Sequence, residues 1–281
     1  MSPNRPQDKA ESPVEMYVPV AGGKLFCRQE GEGNPLLLLH GWPLDYRVWK
    51  PQVDRLRDHY KVITLDRRGF GRSTGPADMG DAVDDVDAVL DACGVEAAVL
   101  IGMSRGGRIA LRYAHERPGR VRGLVLLGTA VDGFDPPPDP AEDIPIGHYA
   151  ALARAGELEA LREAWRTHPQ MALHGVSEDI EQLIREVLAD YRGQDLLTAH
   201  APVKPPPNVA AHLDRIRVPV LIVVGEFETA ARKTIAAHLA GGLPNAVEMV
   251  IAKGGHLLNL EQPDQFNAAV DGFLRRHGLD T

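Results

Sequence analysis

Cysteine is nearly missing from this chain: Cys27 and Cys93 are the two in 281 residues. No disulfide framework can hold the fold. A chain this long has no need of one, since roughly three quarters of its surface is removed from water on folding. Aromatic residues are scarce as well, at 5%, so the core has to be built mainly from aliphatic side chains. Long apolar runs are absent. The longest, such as residues 218–224, fall well short of the roughly 20 residues that cross a bilayer as a helix, and no membrane association is expected. Positive charge is in deficit, with 31 Lys and Arg against 39 Asp and Glu. That excludes the basic footprint of a nucleic-acid-binding protein. Residues 1–9 are polar and carry no apolar signal core. These absences point to a cytoplasmic protein that acts on a small molecule; a homodimer is compatible with them.

What is present is ordered along the chain. Residues 1–13, rich in proline and charge, read as a disordered lead-in. Short, unalternated apolar runs follow at 36–39, 62–65, 97–101, 124–127, 218–224 and 247–251. Strands covered on both faces read this way. Helical patterns lie between several of them: residues 81–93, with Ala82, Val86, Val89, Leu90 and Cys93 on one face and Gly94 as the stop, then 105–115, and at the end 264–275. Strands alternating with helices predict an α/β fold with a doubly wound, mostly parallel sheet. The rhythm breaks between Gly133 and Pro207, inside two proline runs, Pro136-Pro137-Pro138 and Pro205-Pro206-Pro207. Within the break, helical spacing recurs at 149–155, 157–165 and 177–191, with Ser177 and Asp179 as N-cap candidates. The division expected is a core of residues 14–132 and 208–281 with a helical cap over 133–207.

The sharpest chemical signal is Gly102-Met103-Ser104-Arg105-Gly106, set between an apolar strand and a helical run. A serine on so tight a strand-to-helix turn projects its hydroxyl, and the flanking glycines let strand and helix approach. The helix also aims its N-terminal N–H groups at the site. Serine needs a base. Of eleven histidines, His256 in Gly254-Gly255-His256 follows the last strand and precedes the last helix, which fits a loop base. A carboxylate must orient that base, and Gly225-Glu226-Phe227-Glu228 supplies two past a strand end. Donors for an oxyanion are available from the backbone N–H of Trp42, in His40-Gly41-Trp42-Pro43, and of Arg105. Pro43 has none to give. No metal-ligand spacing and no dinucleotide fingerprint is present, so no metal and no cofactor is expected.

With these motifs in hand, and with the Asp66-Arg67-Arg68-Gly69-Phe70-Gly71-Arg72-Ser73 loop, residues 18–274 resemble the α/β-hydrolase superfamily. The likeness is strongest to enol-lactonase-like and carboxylesterase members, which carry a short helical cap after the sixth strand. The resemblance implies Ser104 as nucleophile, His256 as base and the Trp42 and Arg105 N–H groups as oxyanion hole. For the acid it implies Glu228, where relatives usually have aspartate. Asp132 is the alternative, because some relatives place the acid after the sixth strand, and Glu226 is a third. Arg105 is itself a departure, since many relatives have Met or Gln there; it could meet a substrate carboxylate or a neighbouring acid. The activity implied is hydrolysis of a carboxylic ester or lactone through an acyl-enzyme. Hydrolysis of a carbon–carbon bond in a dienoate, on the same residues, is the alternative, as is a non-catalytic ligand-binding relative. Cap residues expected to face substrate are Phe134, Tyr149 and Trp165, with Ile146, Leu152 and Met171 as further candidates.

Overall fold

The computed structural model describes residues 12–77, 82–197 and 207–280. The expected lead-in lies almost wholly outside them, as do Asp81, His200, Pro205 and Pro206. In chain order the strands are β1 (Val14–Val20), β2 (Gly23–Glu30), β3 (Asn34–Leu39), β4 (Tyr60–Leu65), β5 (Ala98–Met103), β6 (Val121–Leu127), β7 (Val220–Gly225) and β8 (Ala246–Ile251). They form one sheet in the order β1-β2-β4-β3-β5-β6-β7-β8. β1 and β2 pair antiparallel, as do β2 and β4; every other neighbour is parallel.

The helices are α1 (Lys50–Leu56), α2 (Ala82–Ala92), α3 (Arg105–Glu116), α4 (Ile146–Ala155), α5 (Leu158–Arg166), α6 (Glu178–Asp190), α7 (Gln194–Leu197), α8 (Ala230–Gly242), α9 (Leu258–Glu261) and α10 (Pro263–Arg276). Two apolar layers sandwich the sheet. Leu36 and Leu38 of β3 join α1, α9 and α10 in one; Leu37 and Leu39 join α2, α3 and α8 in the other. That double coverage is why β3 reads as an unbroken leucine run rather than an alternating one. The predicted face of α2 is buried, and Gly94 ends the helix at φ +65°, letting Val95 N–H reach back to the Leu90 carbonyl at 2.8 Å. Helices α4 to α7 all fall between β6 and β7, and their apolar residues, Leu161, Trp165, Ile184 and Val187 among them, join the α1/α10 layer. Among the described residues no helix is long and apolar enough to cross a membrane.

Two elements depart from the sequence reading. The β1–β2 hairpin was not expected, because polar residues interrupt it: Lys24, Arg28 and Gln29 sit among Leu25, Phe26 and Cys27. The run at 247–251 was expected to be covered on both faces. Instead β8 is an edge strand, with Val247, Met249 and Val250 exposed. An apolar run alone cannot distinguish an edge from a central strand.

Candidate active site

β5 ends at Met103 and α3 begins at Arg105, so Ser104 alone makes the turn. Its backbone sits at φ 52°, ψ −115°, a conformation that costs a non-glycine residue on the order of 1–3 kcal/mol and persists only where its surroundings enforce it. They do so here. Ser104 N–H donates to the Leu127 carbonyl at 2.8 Å, and its own carbonyl accepts from Arg108 N–H at 3.1 Å. The glycines on either side are required by space. A Cβ on Gly102 would lie 2.6 Å from the Gly106 carbonyl oxygen, and one on Gly106 would collide with the Leu39 carbonyl. The β3 loop is as close, since a Cβ on Gly41 would stand 3.3 Å from that of Ser104.

That loop is held by His40. Arg67 N–H donates to His40 Nε2 at 3.0 Å, which fixes the proton on Nδ1, and Nδ1 lies 2.8 Å from the Gly41 carbonyl. Burial, with the Arg67 charge beside it, holds His40 well below the usual imidazole range, so it is neutral. It is a structural histidine that sets the path of Gly41 and Trp42. Arg105, the first residue of α3, follows Ser104 directly and has an N–H with no partner inside the helix.

The structure pairs His256 with Glu228. His256 Nδ1 lies 2.8 Å from Glu228 Oε2, both side chains are buried, and Glu228 Oε1 accepts from Thr229 N–H at 3.0 Å. Burial pushes the Glu228 carboxyl upward. The His256 charge and hydrogen bond, the Thr229 N–H and Arg232 outweigh that and leave it below the usual range. A Cβ on Gly128 would stand 2.8 Å from Glu228 Oε2 and 2.9 Å from His256 Nδ1. Gly128 follows Leu127, whose carbonyl holds Ser104. Ser104, His256 and Glu228 therefore converge at the C-terminal ends of β5, β6 and β7, where open α/β sheets place their sites.

The other carboxylates are engaged elsewhere. Asp132 is fully buried between two arginines: Arg108 Nε donates to it at 2.6 Å and Arg112 Nε at 2.9 Å. Glu226 Oε2 accepts from Lys253 N–H at 2.9 Å and ties its loop to the end of β8. Among the cap candidates, Trp165 lies edge-on to Trp42 with ring centroids 4.7 Å apart, and Tyr149 packs on Trp165 at 5.1 Å. Phe134 is not brought to them. It stacks on His238 of α8 at 4.0 Å, against the opposite apolar layer. Ile146 is 55% exposed, while Met171 is buried and Leu152 partly so.

Sequence reasoning missed three supports. Glu261, fully buried, accepts from the Gly255 N–H and, at 3.0 Å, from His174 N–H; its carboxylate also lies 2.7 Å from His174 Nδ1. Glu142, in the turn Pro140–Glu142, accepts from Thr229 Oγ1, Gln170 Nε2 and Arg232 Nη2, each at 2.6 Å. The third is Arg67, which donates from Nη2 to the Gly41 carbonyl at 3.1 Å. Their partners lie up to 90 residues away, and no local pattern announces such contacts.

The model of the alpha/beta hydrolase family matches residues 36–269. The chain belongs to the α/β-hydrolase family. It is 27% identical to a pimeloyl-[acyl-carrier protein] methyl ester esterase of Pectobacterium atrosepticum, over 89% of this chain and 98% of that one. Among solved structures it resembles an esterase from Thermogutta terrifontis, determined with malate bound, at 26% identity and a TM-score of 0.73, over 96% of this chain and 100% of that one. It also resembles Est816, described as an N-acyl homoserine lactone degrading enzyme, at 28% identity and a TM-score of 0.69, over 92% and 100%. With this fold and these relatives, this α/β hydrolase is an enzyme.

Proposed function

We propose that this α/β hydrolase cleaves carboxylic esters or lactones of small molecules through an acyl-enzyme on Ser104. The observation that carries the reading is the enforced backbone of Ser104 at the β5–α3 turn, with the His256–Glu228 pair packed against the neighbouring Gly128. The likeness to an ester-cleaving and a lactone-degrading protein supports the substrate class. In this reading Ser104 Oγ attacks the acyl carbon while its proton passes to His256 Nε2. The oxyanion is met by the N–H groups of Trp42 and Arg105, donors of a kind worth roughly 3–4 kcal/mol each in a transition state. His256 returns the proton to the leaving alcohol, and water repeats the sequence to free the acid. Glu228 stays ionised throughout and stabilises the imidazolium. A fluorophosphonate probe tests the assignment. Intact-mass analysis should show one adduct, on Ser104, and Ser104→Ala should lose both the adduct and nearly all turnover of p-nitrophenyl esters. A folded Ser104→Ala protein with undiminished turnover would overturn it.

A further inference from the structure

Glutamate has one rotatable bond more than aspartate, so a glutamate that orients a histidine needs its carboxylate held. Glu228 turns Oε2 toward His256 Nδ1 at 2.8 Å and Oε1 toward the Thr229 N–H at 3.0 Å. Thr229 is the N-cap of α8, and its Oγ1 accepts from Arg232 N–H at 3.2 Å. That hydroxyl has one proton to give. It goes to Glu142 Oε1 at 2.6 Å. Glu142 comes from a distant part of the chain, the turn Pro140–Glu142 between β6 and α4.

The same turn grips the first turn of α8 at two further points. Asp139 Oδ2 accepts from Ala231 N–H at 3.2 Å, and Glu142 Oε2 accepts from Arg232 Nη2 at 2.6 Å. Both side chains of that ion pair are mostly buried, Glu142 at 17% and Arg232 at 12% exposure. Arg232 Nε and Nη1 are buried with no hydrogen-bond partner among the described residues, so Glu142 is what holds this guanidinium. Gln170 Nε2, from the turn after α5, donates to Glu142 Oε2 at 2.6 Å and fixes the carboxylate in its turn. The consequence reaches Glu228. Burial pushes its carboxyl up; the His256 charge and hydrogen bond, then the Thr229 N–H and Arg232, bring it below the usual range. Glu142 holds the residues that supply the last two. Without it the Thr229 hydroxyl is free to turn and Arg232 is left as a charge without its partner.

We propose that Glu142 is a positioning residue for the acid of this site: through Thr229 and Arg232 it fixes the Glu228 carboxylate against His256. The proposal rests on the ester-hydrolase reading above and adds a residue to its machinery. It also gives the segment between β6 and β7 a part in the chemistry, because the turn that carries Glu142 opens that segment. Glu142 meets neither His256 nor Ser104 in a hydrogen bond. It acts on the rate by setting where an oriented group stands, and small displacements of such a group are costly: a shift of about 1 Å can lower a rate about 100-fold.

A double-mutant cycle with Glu228 separates positioning from mere structural support. Glu142→Gln keeps the shape of the side chain and removes its charge. In the otherwise wild-type protein it should lower both kcat on a p-nitrophenyl ester and the rate of fluorophosphonate labelling by about 10- to 100-fold, with KM changed by less than about twofold. In the Glu228→Gln background the same substitution should cost less than about twofold, because the carboxylate it acts through is gone. An undiminished rate in Glu142→Gln would overturn the proposal, as would the same loss in both backgrounds. If Glu142→Gln does not fold, Thr229→Ala cuts the link from the other side and the cycle is read in the same way. If wild type cleaves no ester and leaves Ser104 unlabelled, the ester-hydrolase reading has failed. The positioning role is then decided by proton magnetic resonance. The low-field Nδ1–H signal of His256, identified by its loss in His256→Ala, should move in Glu142→Gln; an unmoved signal, or none in wild type, overturns the role.

Discussion

Glu228 shows how far a single residue can be argued. Its carboxylate is one methylene longer than aspartate, yet it meets His256 at 2.8 Å and is buttressed by Thr229 N–H. Glu228→Gln should keep the fold and lower turnover by up to about 10⁴, the loss seen when a triad acid becomes an amide in the chymotrypsin-type case. A stability effect accompanies it. The folded carboxyl titrates below its usual range, so the ionised form stabilises the fold at pH above the unfolded value, near 4.3. That stabilisation is lost as pH falls through the folded value. Melting temperatures of wild type and Glu228→Gln should therefore differ by a constant amount from about pH 6 to 8 and draw together as pH falls below the unfolded value near 4.3. Asp132→Asn should behave otherwise. It removes the anion from a buried cluster with Arg108 and Arg112, at a cost of about 3–5 kcal/mol, and should leave the relative activity on different esters unchanged. The position of Ser104 could be read from five residues and their flanks. For the acid the family resemblance favours Glu228 over Asp132 and Glu226, but the residues alone leave the three open, because only three-dimensional packing says which one meets the histidine.

Elements were legible to the extent that their burial was uniform. The inner parallel strands and the helices between β6 and β7 follow their apolar spacing, whereas the half-exposed β1–β2 hairpin breaks the pattern and β8 imitates a buried strand. Connections between elements were not legible at all, and they steady the site. Glu261 joins α9 to the Gly255 backbone and to His174 in the segment between α5 and α6. It carries three interactions on one buried side chain. Glu261→Gln keeps the shape but turns one acceptor into a donor that must face an N–H. We expect a loss of about 1–3 kcal/mol and, since His256 follows Gly255 directly, slower fluorophosphonate labelling by about tenfold. Calorimetry and labelling rate read the two effects separately. An unchanged labelling rate would mean that the His256 loop keeps its place without Glu261.

At the scale of the whole molecule, the helices between β6 and β7 share one apolar layer with the sheet. Leu36 and Leu38 of β3, Trp49 before α1, and Phe266 and Phe273 of α10 lie in the same continuous cluster as Tyr149, Leu161, Trp165 and Ile184. All three tryptophans, at 42, 49 and 165, belong to it or pack against it. The contact of Trp42 with Trp165, ring centroids 4.7 Å apart, joins the loop after β3 to α5. These helices should therefore unfold with the sheet. Tryptophan fluorescence, which reports this layer, and far-ultraviolet circular dichroism, which reports the whole backbone, should give coincident melting curves. Trp165→Ala sharpens the test. Removing a fully buried indole costs about 3–5 kcal/mol, which for a chain of this size lowers the melting temperature by roughly 10 °C. If the layer is continuous, that drop appears in both signals as one shifted transition. A tryptophan transition that runs ahead of the dichroism, in either protein, would show instead that the helices between β6 and β7 melt on their own. The Trp42–Trp165 contact would then be a surface that opens, and substrate entry would have a physical route through it.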